Sequence, residues 1–178
     1  MKKTIYVVLM LCTVLPIMLT AQNKATFGQV LGVIKKLKTD LAVVGVMSST
    51  LSSKDIESMT RAAMQQGVKL YVTEPKDVRE VSALYKALVN DKKAQLIIIP
   101  DNADKTMTGM GFEFIKENAT IDRIGICAPD PSMISQGAMC SIVKENEKIV
   151  VYINQKVLAF VNAKMPAEEI TSISFVLK

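Results

Sequence analysis

The chain has 178 residues, 49% of them hydrophobic and 22% charged, with a formal net charge of +5. These are the proportions of a folded globular protein, and no Lys/Arg run carries interleaved aromatics, so no nucleic-acid partner is expected. There is no His and no Trp, which removes Ser-His-Asp and Cys-His catalysis, the usual zinc sites and the indole stacking common in sugar sites.

The chain opens MKKTIYVVLMLCTVLPIMLTAQ. Lys2 and Lys3 precede an apolar stretch from Ile5 to Leu19, followed by Thr20-Ala21-Gln22. That is the three-part layout of a secretory signal peptide, and the apolar stretch falls short of the ~20 residues of a membrane span. Residues 1–21 are therefore expected to be a signal peptide, cleaved after Ala21. Cys12 lies inside the apolar core, so no lipoprotein-type cysteine follows it. The expected address is periplasmic or otherwise extracytoplasmic. Residues 22–178 suffice for one compact domain.

Phe27, Val30, Leu31, Ile34 and Leu37 recur at helical spacing and predict a first amphipathic helix over 26–37. Leu41–Met47 is a continuous apolar run, as for a strand covered on both faces. Ser48-Ser49-Thr50 follows, and Ser52 with Asp55 forms a capping pattern for a helix carrying Ile56, Met59 and Ala63. Val68–Thr73 is a second strand, and Pro75 sits near the start of a helix marked by Val78, Val81, Tyr85 and Leu88. Ala94–Pro100 is the strongest core-strand signal. A helix from about Lys105 to Asn118 is expected to carry Met110 and Phe114, with Gly109 and Gly111 softening its start. Arg123–Cys127 reads as a fourth strand. Ala138–Val143 and Ile149–Ile153 flank the polar Lys144–Lys148 and predict an antiparallel hairpin. A short helix from about Gln155 to Ala163 and a last strand, Ile173–Leu177, complete the chain.

Strand and helix alternate four times, which predicts an α/β fold: a single Rossmann-like, doubly wound domain with a mostly parallel sheet and an antiparallel C-terminal hairpin. Such sheets take ligands at the carboxyl ends of their strands, beside a topological switch point. Those ends are Ser48-Ser49-Thr50, Thr73-Glu74, Pro100-Asp101-Asn102 and Ala128-Pro129-Asp130. Asp101 and Asn102 offer a carboxylate and an amide to a ligand, or shape a turn and cap a helix. Ser48 and Ser49 offer hydroxyls beside a helix N-terminus, for an anion or as a cap. Neither GxxxxGK[ST] nor GxGxxG is present, which disfavours a nucleotide. Met107 and Met110 have MxxM spacing without His or Cys beside them, so core packing is expected there and no metal. Asn118-Ala119-Thr120 is a glycosylation sequon, with meaning only in a host that modifies such sites. Cys127 and Cys140 form either a disulfide or two buried thiols, and their spacing leaves both open. No cofactor and no enzymatic activity are expected, since no nucleophile elbow or announced acid pair is present.

From Leu41 onward the chain resembles the substrate-binding proteins of a class of ABC transporters. The resemblance runs through Val43–Met47, GVKLYVTEPKDVREVSALYKAL, AQLIIIPDN, RIGICAPDPSMISQGAMCSI and NAKMPAEEI. It implies a ligand cleft near Asp101, Asn102, Pro129 and Gly137, with Ser48 and Ser49 at the first strand's end, and a small solute as ligand. Those proteins have two lobes and this chain has length for one, so a homodimer or another partner would supply the opposite wall. The segment GAMCSIVKENEKIVVYINQKVLAF is also similar to the YfiR-like periplasmic regulators. That resemblance implies a dimer acting on a membrane signalling protein such as a diguanylate cyclase, with Gly137 and Asn154 structural or interfacial. A transporter or a signalling receptor is thus the expected membrane partner.

Overall fold

The computed structural model describes residues 24–167 and 172–178, so the expected signal peptide lies outside the described residues. Among the described residues no helix is long and apolar enough to cross a membrane. The chain alternates α1 (Phe27–Leu37), β1 (Val43–Met47), α2 (Ser53–Gln65), β2 (Lys69–Thr73), α3 (Val78–Lys86) and β3 (Leu96–Ile98). It continues through α4 (Lys105–Thr108), α5 (Met110–Asp122), β4 (Gly125–Ala128), β5 (Cys140–Glu145), β6 (Lys148–Ile153), α6 (Gln155–Phe160) and β7 (Ile173–Leu177).

The strands form one seven-stranded sheet in the order β2-β1-β3-β4-β5-β6-β7. β1 to β5 run parallel, β5 and β6 form the antiparallel hairpin, and β6 pairs β7 in parallel. The chain leaves β1 for one edge and returns to β3 on its other side, so the topological switch lies between β1 and β3.

Both faces are covered, which is why the strands are apolar without alternation. Leu31 and Ile34 of α1, Met59 and Ala63 of α2, and Leu158 of α6 pack with Val44, Val46, Leu96, Ile98 and Cys127 on one face. Val81 and Tyr85 of α3 with Phe112, Ile115 and Ala119 of α5 cover Met47, Ile97, Ile99, Ile126 and Ala128 on the other. Capping boxes open α1, through Thr26 and Gln29, and α2, through Ser52 and Asp55.

Three elements differ from their sequence expectation. The helix expected over 105–118 is broken at Gly109 into α4 and α5. Its buried face is Met107, Phe112, Ile115 and Ala119, while Met110 is 71% exposed. The break resets the helical phase, so a periodicity counted across it assigns the wrong methionine to the core. Arg123 adopts a left-handed conformation (φ 58°) as the C-cap of α5, and β4 begins at Gly125, two residues later than expected. The hairpin turn is tight: Lys144, Glu145 and Lys148 are in the ladder, and Asn146 and Glu147 both take positive φ (46° and 66°). Two left-handed central residues match the right-handed twist of the flanking strands.

Candidate functional site

β5 is longer than β4. Ala128 pairs with Ser141, and β5 then runs on through Ile142–Glu145 beyond the end of β4. Those four residues stand above the carboxyl ends of β3 and β4 as a wall. Beneath them is a cavity of about 500 Å³. Ile98–Pro100 and Asn102 line it from β3, and Cys127–Pro131 from β4. Lys24, Ala25, Phe27 and Val30 close it from the start of α1, and Met59 from α2. The interior is apolar, while Lys24, Asn102, Asp130, Lys144 and Glu145 bring charge and hydrogen-bonding groups to it. A largely apolar pocket with a few convergent polar groups is the ordinary form of a small-molecule site.

The polar groups are tied to one another across the loops. The Asp101 carboxylate accepts the Ala103 backbone N–H at 3.0 Å and pairs with Lys24 Nζ at 3.0 Å. The Ala103 N–H, and after it Lys24, hold Asp101 below its ordinary value of 3.8. Asn102 Nδ2 donates to Asp130 Oδ2 at 2.9 Å, joining the loop after β3 to the loop after β4. Asp130 also caps the short turn Pro131–Ile134 by accepting the Ser132 N–H at 2.8 Å. Ser132, ahead of Asn102, lowers the Asp130 value as well. Asp101 and Asp130 are therefore anionic at neutral pH, and each holds its own turn in the way Asp commonly does. Asn102 keeps its side-chain carbonyl as an acceptor.

The switch point itself is filled. Asp104 is fully buried and accepts from Ser48 Oγ at 3.0 Å, the Ser49 N–H at 2.6 Å and Ser49 Oγ at 2.7 Å. It also accepts the Met107 N–H at 3.2 Å as the N-cap of α4. Ser48 and Ser49 do hold a carboxyl group, but it is the protein's own Asp104 side chain.

The sequence-predicted residues thus separate into three groups. Asn102 and Pro129 line the strand-end cavity, and Asp101 braces its rim through Lys24. Ser48 and Ser49 are committed to Asp104. Gly137 (φ 112°) lines a second, more open cavity of about 580 Å³ between α5 and α6, with Lys116, Lys156 and Phe160. Asn154, singled out in the hairpin segment, caps α6 through Val157 and donates to the Ile134 carbonyl at 3.1 Å. Cys127 and Cys140 are free, buried thiols on directly paired positions of β4 and β5. Met107 is fully buried in the core.

Several lining groups carried no signal that sequence reasoning could use. Phe27 and Val30 look like any amphipathic stripe, and Ile142–Glu145 like any strand. Asp104 had a usable one: an Asp three residues before Met107 is a helix-cap spacing. Asp130 followed by Pro131 had another.

The fold, one α/β domain with a mostly parallel sheet and one antiparallel pair, is shared with solved structures that include a substrate-binding protein. The chain is similar to the ABC domain from Streptococcus pneumoniae solved in complex with L-Trp, with a TM-score of 0.71 and 14% identity over 86% of this chain and 62% of that one. A conserved domain protein from Vibrio cholerae O1 biovar El Tor gives 0.70 and 14% over 85% of this chain and 60% of that one. A ligand-free, open substrate-binding protein with adhesive properties from Clostridium difficile gives 0.66 and 17% over 86% and 60%. The chain spans about three fifths of the length of these neighbours. No protein-family model matches the chain, and no curated protein sequence matches it.

Proposed function

We propose that this chain is an exported, non-enzymatic binding domain that takes a small solute into the strand-end cavity and serves an ABC transport system. The cavity carries this reading: it lies at the carboxyl ends of the parallel strands, where this fold binds ligands, and has room for a small molecule. The protruding β5–β6 hairpin supplies a wall of the cavity opposite the strand ends. Asn102 and Pro129 contact the solute, Asp101 fixes the loop that carries Asn102, and Ser48 and Ser49 act indirectly by holding Asp104. Gly137 belongs to the other cavity and shapes the approach to α6.

A thermal-shift screen of amino acids, organic acids and sugars tests this reading. Ligand at a hundredfold excess over its dissociation constant adds about 2.7 kcal/mol of stability, a clear rise in melting temperature. Asn102→Ala is expected to reduce the rise. A flat response across the screen, with Asn102→Ala silent in cells, sinks the reading.

One observation favours a second reading, a YfiR-like regulator of a membrane signalling protein such as a diguanylate cyclase. The hairpin segment that carries the resemblance ends in Asn154, which ties α6 to the Ile134 turn. A stable dimer in light scattering that captures a membrane cyclase, with no solute response, would favour the regulator.

A further inference from the structure

Cys127 and Cys140 sit opposite each other on neighbouring parallel strands, in register, with both side chains on the face covered by α1 and α2. Adjacent strands lie about 4.8 Å apart, so directly paired side chains on one face are contact neighbours. Cys140 is fully buried, and Cys127, 3% exposed, forms part of the wall of the strand-end cavity. Cys127 thus faces the cavity, and Cys140 lies enclosed beside it. The Met59 thioether lines the same space. Among the described residues no group of three or more His, Cys, Asp or Glu could hold a metal, so a four-coordinate zinc cage is not available.

We propose that Cys127 and Cys140 form a two-sulfur site for a soft monovalent cation, Cu(I), opening onto the strand-end cavity. Thiolate and thioether donors select Cu(I) over harder ions, and Cu(I) accepts two ligands where zinc wants four. Binding replaces the two S–H protons, which leave to water, while copper stays in the +1 state and no electron is transferred. Two thiolates and one cation leave a single negative charge; Lys24 and Lys144 line the same cavity, each already paired with a carboxylate, Asp101 and Glu147. The site stands on the thiol pair alone and does not depend on an organic solute entering the cavity.

The test is a competition for Cu(I) between the purified, reduced protein and a chromogenic Cu(I) chelator, with Cys12→Ser as background so that only this pair counts. One equivalent of copper should transfer to the protein, with sulfur-to-copper charge-transfer absorption in the near ultraviolet. Cys127→Ala and Cys140→Ala should each abolish the transfer while keeping the native circular dichroism spectrum, because a buried thiol packs as a small hydrophobe. Should either variant unfold, alkylation of the native protein with a small thiol reagent replaces it, and copper loss is again expected. Copper staying with the chelator while two reduced thiols are counted after denaturation overturns the proposal. So does a bond between the two sulfurs that survives the reductant. A solute response in the thermal screen without copper transfer would leave the binding reading standing and remove this one.

Discussion

At the end of β1, Asp104 accepts four hydrogen bonds while fully buried, from Ser48, Ser49 twice, and the Met107 N–H. Removing an acceptor that satisfies buried donors costs more than the bonds themselves, because the donors are left without water. Asp104→Ala is expected to destabilise the protein by about 3 kcal/mol, and Ser49→Ala by about 1 kcal/mol, in urea unfolding. A neutral Asp104→Ala would mean that the two serines are free to serve a ligand. The rim carboxylates give a pH signature. Asp101 and Asp130 have folded values below their ordinary 3.8, so their stabilisation is fully present above that pH and is lost as pH falls through the depressed values. Asp55 and Asp77, lowered by Ser52 and Arg79 at their helix caps, add to the same acid limb. Asp101→Asn and Asp130→Asn should each flatten the loss of melting temperature below pH 3.8 and leave the neutral plateau otherwise shaped as before. An unchanged acid limb in both variants would remove the rim carboxylates from the account.

Among the elements, the junction of α4 and α5 is the most constrained. A Cβ on Gly111 would collide with the Thr106 carbonyl oxygen, a backbone atom that cannot swing aside. Gly45 is different: its Cβ would meet the far ends of Ile97 and Leu88, which can repack. Gly111→Ala is expected to cost about 2–3 kcal/mol by overpacking, and Gly45→Ala less. Equal costs in denaturant melts would contradict the distinction. Most elements were legible in the sequence because each carried its own period or cap: the α1 stripe, the Ser52–Asp55 box and the apolar runs of β1 and β3. The failures were at breaks. Gly109 interrupts the phase that places Met107 inside and Met110 outside, and a run of apolar residues does not say where a helix cap such as Arg123 ends and a strand begins.

For the whole molecule, the placement of the hairpin matters most. Because β5 runs past β4, its last four residues wall the space at the carboxyl ends of β3 and β4. Val30, half-buried on α1, faces that space. Val30→Trp should fill the cavity and abolish any solute-induced rise in melting temperature without loss of the fold. The native chain has no tryptophan, so the new indole also reports the cavity directly: a blue-shifted emission marks a filled pocket, and a water-like spectrum would show that the side chain turned outward and left the space open.

By itself the sequence determined the class of fold and the level at which a site would lie. Alternating apolar runs and amphipathic stripes can be satisfied only by a parallel sheet covered on both faces, and the carboxyl ends of its strands are then fixed in the chain as short polar segments. Tertiary structure alone decided how those segments are used. Ser48 and Ser49 are 56 and 55 residues from Asp104 in the chain, yet the sheet order brings them together and spends them on an internal carboxylate. Cys127 meets Cys140 through strand register, Asn102 meets Asp130 between neighbouring strand-end loops, and Lys24 meets Asp101 from the segment before α1, none of them through local pattern. Local residue types set what an element is; which side chains face one another depends on strand order and on where each strand stops, and those are properties of the assembled sheet.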